Sequence, residues 1–147
     1  MRSLTRAGFA IHSAAEAFLR EFDGLVLRFK SPRGSAYEYQ VELGGGPPEL
    51  PLPKPVIELN ERIGPLVPVA LYAVSPYQKI HLMAPDGIIY AYIDGEFGSP
   101  EIDNVIWGPQ PDALAALDAE VNFVRWPVFY SPAEARGHDG LNSTKPT

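Results

Sequence analysis

The stretch QKIHLMAPDGIIYAYI, residues 78 to 93, decides the fold. Two apolar runs flank Ala84-Pro85-Asp86-Gly87, where proline presets the first turn torsion and glycine supplies the positive φ that closes a reversal. The pattern predicts a β-hairpin with strands at 78–83 and 88–93. In the second strand Ile88, Tyr90 and Tyr92 alternate with Ile89, Ala91 and Ile93. A strand apolar on both sides belongs inside a sheet covered on both faces.

Upstream, Leu66 to Val74 reads as a third strand. Val56 to Ile63 is a short helix with Pro55 near its start and Gly64 at its end. Gly44 to Pro55, GGGPPELPLPKP, is a loop by composition. Its glycines are not followed by the Gly-Lys-Ser/Thr of a phosphate loop. Leu25–Phe29 and Tyr37–Leu43 alternate as strands around Ser31-Pro32-Arg33-Gly34. Before them lies a helix, Ser13 to Phe22, with a Ser13/Glu16 capping box, an apolar stripe and a terminating Gly24.

Downstream, residues 94–104 are a polar loop and Val105–Trp107 a short apolar stretch. Pro111–Val121 is a helix with Asp112 near its positive end and Leu114, Leu117 and Val121 at core spacing. Val124–Tyr130 is a final strand or packed extension, restricted to an edge by Pro127. From Ser131 the polar residues read as a disordered tail. The expected organisation is one α+β domain over residues 1–130, a mainly antiparallel sheet flanked by N-terminal and C-terminal helices, with residues 131–147 as the tail.

Composition narrows the function. The 147 residues contain no cysteine, which removes disulfides, thiolate metal sites and a cysteine nucleophile, and points to the cytoplasm. His12, Ser13 and Glu16 interrupt the N-terminal apolar run, so no secretory signal is read. No run of about 18 apolar residues occurs, so no membrane span is expected.

The net charge is −6, and no lysine or arginine occurs between Lys79 and Arg125, where eight acidic residues fall. Such an acidic block argues against nucleic acid and for a basic protein surface, or else serves as a solvated face.

His12, His81 and His138 show no paired-ligand spacing, so neither a metal nor another cofactor is expected. Gly34-Ser35 and Gly98-Ser99 lack the nucleophile-elbow pattern. Residues 94–103 concentrate Asp94, Glu96, Glu101 and Asp103 without calcium-loop spacing. Tyr90, Tyr92, Trp107 and Trp126 read as core more than interface. Phe97, set among glycines and acids, reads nearly as well as an interface anchor. Asp94, Glu96, Phe97, Glu101 and Asp103 are therefore the candidate partner-binding residues.

The order of these elements, with AAEAFLREFDGL at 14–25, GPLVPV at 64–69, the Ile80–Tyr90 hairpin and the Ala113–Leu117 A-L-x-x-L helix, resembles the SUKH superfamily, its third group most closely. The likeness covers roughly residues 8 to 120. It implies an α+β fold and an immunity protein that binds and neutralises a polymorphic bacterial toxin of the nuclease or deaminase type, with no catalytic residues of its own. Two other readings compete: a general adaptor or regulatory binding module without a toxin, and a small hydrolase or metal enzyme using His81 and the loop carboxylates.

Overall fold

A computed structural model describes residues 10–30, 32, 34–41, 54–74, 77–93 and 105–130. Its elements are α1 (Ser13–Phe22), β1 (Val26–Lys30), β2 (Ala36–Val41), α2 (Lys54–Ile63), β3 (Val67–Val74), β4 (Tyr77–Met83), β5 (Ile89–Ile93), β6 (Ile106–Gln110), α3 (Ala113–Val121) and β7 (Val128–Tyr130). The strands form one seven-stranded sheet in sequence order, and every neighbouring pair is antiparallel. The fold is α+β, with helices flanking the sheet.

The hairpin that anchors this order closes as expected. Gly87 has φ +85°, its N–H donates to the Ala84 carbonyl at 2.9 Å, and Asp86 Oδ1 accepts from the Ile88 N–H at 3.1 Å. Alternation then splits the sheet into two buried faces. Ile80, Leu82, Tyr90, Tyr92 and Ile106 pack with Val56 and Leu59 of α2. Met83, Ile89 and Ala91 pack on the other face with Ala15 and Leu19 of α1 and Ala116 and Ala119 of α3. Each fully buried leucine or isoleucine contributes about 2 kcal/mol by leaving water, so a central strand loaded on both sides holds the two layers together.

Three expectations need correction. The cap of α1 is His12, not Ser13: the backbone of His12 is extended, and its Nδ1 accepts from the Ala15 N–H at 3.2 Å. Its Nε2–H donates to the Met83 carbonyl at 2.9 Å. A ring held by the end of β4 is already in place to cap, so Ser13 becomes the first helical residue. Glu16 turns outward to Arg20 at 2.6 Å instead of closing a capping box.

The second correction concerns α3. It starts at Ala113, with Asp112 as N-cap accepting from the Ala115 N–H at 2.8 Å. Leu114 is 72% exposed and Val121 is also exposed, whereas Ala116, Ala119 and Glu120 are buried. Leu117 is half-buried and packs against the core as expected, beside the small side chains of Ala116 and Ala119.

Third, of the stretch 124–130 only Val128–Tyr130 is strand. It pairs with β6 alone, the edge position that Pro127 requires. Gly24 at φ +84° ends α1 as expected. Residues 42–53, 94–104 and 131–147 lie outside the described residues, and with them the triple-glycine loop, the acidic loop and the tail.

Candidate functional site

Antiparallel register sets Tyr39 opposite Tyr72, Tyr72 opposite Lys79, and Lys79 opposite Ile93. This row crosses four strands on the face beneath α1 and α3. A second row sets Ala70, His81, Ala91 and Trp107 side by side. Alanines on either side of His81 leave room above the sheet, and Trp126 fills it, its ring 5.3 Å from the imidazole.

Glu120 enters this space from α3. Its Oε1 lies 3.3 Å from His81 Nε2 and 3.2 Å from Lys79 Nζ, and its Oε2 lies 3.3 Å from the same ammonium. Tyr39 Oη is 3.4 Å from His81 Nδ1. Burial, and then the Glu120 charge, push the Tyr39 phenol well above its ordinary range, so it holds its proton beside the imidazole. The carboxylate can only accept, so His81 donates Nε2–H to Glu120. The Lys79 ammonium also sits 5.3 Å above the Trp107 ring and 5.9 Å from that of Trp126, a placement that cation–π attraction favours.

Tyrosine, imidazole and carboxylate thus stand in the order of a proton relay, but they stand inside the core. His81 has no exposed surface, and Tyr39 and Glu120 are buried as well. His81 is a core residue whose carboxylate partner among the described residues is Glu120. Among the described residues no group of three or more histidine, aspartate or glutamate side chains is placed to hold a metal. Trp126 Nε1 is buried and has no hydrogen-bond partner among them.

Tyr90, Tyr92 and Trp126 are buried and Trp107 is half-buried, which makes these aromatics core. The candidate partner-binding residues Asp94, Glu96, Phe97, Glu101 and Asp103 lie outside the described residues. That segment begins one residue after Ile93, and Ile93 lines an open cleft.

The cleft has a volume of about 420 Å³ and is walled by Tyr37, Tyr72, Lys79, Ile93, Phe123 and Val124, with Glu120 and Ala119 also at its surface. Tyr37 stacks on Phe29 at 5.4 Å and on Tyr72 at 5.8 Å, and the Phe123 ring meets Tyr37 at 5.3 Å, tilted by 59°.

Phe123 is held there by an unusual helix end. Its N–H donates to the Glu120 carbonyl at 3.4 Å, and the Val124 N–H donates to the Ala119 carbonyl at 2.8 Å. These two bonds define a Schellman motif whose left-handed position glycine normally fills. Phenylalanine occupies it at φ +56°, at a cost of about 1 kcal/mol, and the residue is 53% exposed.

Tyr37, Tyr72, Lys79, Glu120 and Phe123 were not singled out from the sequence as a site. Strand alternation was the available signal for the first three, and for Phe123 the absence of any glycine after the helix. Compared with known proteins, the chain matches no family model, no curated protein and no solved structure.

Proposed function

We propose that this chain is an immunity protein that neutralises a bacterial toxin of the nuclease or deaminase type by direct protein contact. The observation that carries the reading is how chemistry and exposure are divided. Groups able to move protons are sealed between sheet and α3, whereas Phe123 and Val124 are large apolar side chains at the surface just beyond that helix. Interfaces concentrate their energy in such aromatic anchors on rigid supports. The SUKH-like order of elements and the net charge of −6 supply the kind of partner: a protein with a basic surface, drawn in by electrostatic steering. The segment carrying Asp94, Glu96, Phe97, Glu101 and Asp103 would add acidic contacts from the strand that ends at the cleft. No helix among the described residues is long and apolar enough to cross a membrane; a cytoplasmic contact is the reading that the cysteine-free sequence supports.

Co-expression with the toxin encoded beside it tests this reading. Cell survival together with a complex on size exclusion supports it. Continued killing with no complex overturns it in favour of an adaptor that has no toxin partner.

A further inference from the structure

We infer that the cleft beside Phe123 is a receptor for an arginine side chain presented by a basic protein partner. This rests on the reading above and names the chemistry of the contact. Three rings line the cleft: Tyr37, Tyr72 and Phe123. Tyr72 is packed beneath Tyr37, while Phe123 is half open to solvent and tilted against Tyr37, which leaves an angled aromatic surface for a planar group to stack on. Phe123 is kept in a backbone conformation that glycine would adopt without strain, and a strained aromatic at a cleft is more economically explained by its side chain than by the fold.

The choice of cation over anion follows from charge. The two charges at the cleft, Lys79 and Glu120, are paired with each other at 3.2 and 3.3 Å and cancel to first order, so the field of the whole chain decides the sign. That chain carries −6. The same protein already lays cations on rings, Lys79 on Trp107 and Arg62 on Phe129. Guanidinium suits the place better than ammonium because it is planar, weakly hydrated and stacks on aromatic faces. The cleft, about 420 Å³, accommodates such a side chain.

The test is an NMR titration of the intact labelled protein with acetyl-Gly-Arg-Gly-amide and with the matching norleucine and glutamate peptides. The arginine peptide should move the Tyr37, Tyr72 and Phe123 ring resonances saturably, and the other two should not. Phe123→Gly, which relieves the backbone, should weaken arginine binding about tenfold. Tyr37→Leu, which keeps apolar bulk but removes a π face, should weaken it similarly. Equal or stronger response to the norleucine or glutamate peptide, or arginine binding indifferent to both substitutions, would overturn the inference. Because no toxin is needed, neutralisation without arginine binding ends this inference and leaves the immunity reading standing. Arginine binding without neutralisation does the reverse.

Discussion

Glu120 and His81 meet inside the core, Oε1 to Nε2 at 3.3 Å, across a separation of 39 residues. One comes from a helix and the other from a central strand, and Lys79 joins them from the same strand. The carboxylate is therefore the tie between α3 and the sheet.

Removing that tie strands two donors. Glu120→Ala leaves His81 and Lys79 without their shared acceptor, and a loss of about 2–4 kcal/mol is expected. The pair Glu120→Leu with His81→Phe should recover part of it, since a matched apolar replacement leaves less unsatisfied. Urea denaturation of the single and double variants measures this coupling. A Glu120→Ala variant within about 0.5 kcal/mol of the wild type would show that the tie does not stabilise the fold.

Tyr39 predicts alkaline sensitivity. Its folded-state pKa is raised above the ordinary 10.0, first by burial and then by Glu120. Below that ordinary value both states hold the phenol proton, and the stabilisation is fully present. Above it the unfolded chain releases a proton that the folded chain keeps, so stability falls as pH rises, by up to about 1.4 kcal/mol per pH unit. Tyr72, raised for the same leading reason, acts in the same direction. Denaturation midpoints followed from pH 9 to 11 should decline, and Tyr39→Phe should flatten the decline.

Phe123 allows a clean separation of backbone from side chain. Phe123→Gly and Phe123→Ala both delete the ring, but only glycine relaxes at φ +56°. The glycine variant should be the more stable of the two by about 1 kcal/mol in thermal unfolding. Equal stability would mean that the Schellman position carries no strain.

The two sides of α3 should answer substitution in opposite ways. Leu114→Lys, on the exposed side, should shift stability by less than about 0.5 kcal/mol. Ala116→Leu, under the helix, should cost about 1–3 kcal/mol by overpacking. A melting curve for each settles which face the helix buries.

These residues also mark how far the sequence was readable. Short-range grammar carried the fold: Pro85 and Gly87 announced the hairpin, Gly24 the end of α1, and Pro127 an edge. Side-chain size misled where the answer lay in tertiary packing. Leu114 looked like core by spacing, yet the helix approaches the sheet through alanines so that Glu120 can reach His81, and no local pattern encodes that distance. His12 capped α1 because Met83 held its ring, a partner 71 residues away. The acidic 94–103 segment, which composition offers as a contact surface, lies outside the described residues, and the cleft is assembled from four strands and a helix end. Only cross-strand register brings Tyr37, Tyr72 and Lys79 to Phe123.

If the cleft beside Phe123 holds a toxic protein partner, as proposed, the complex should form directly in solution. Isothermal titration of the purified chain with the toxin encoded beside it is the direct measurement, run for the wild type and for Phe123→Gly. A tight complex for the wild type, weakened at least about tenfold in a variant that melts no lower, is the predicted result. Absence of heat with the wild type, or a variant that binds equally well, would contradict it.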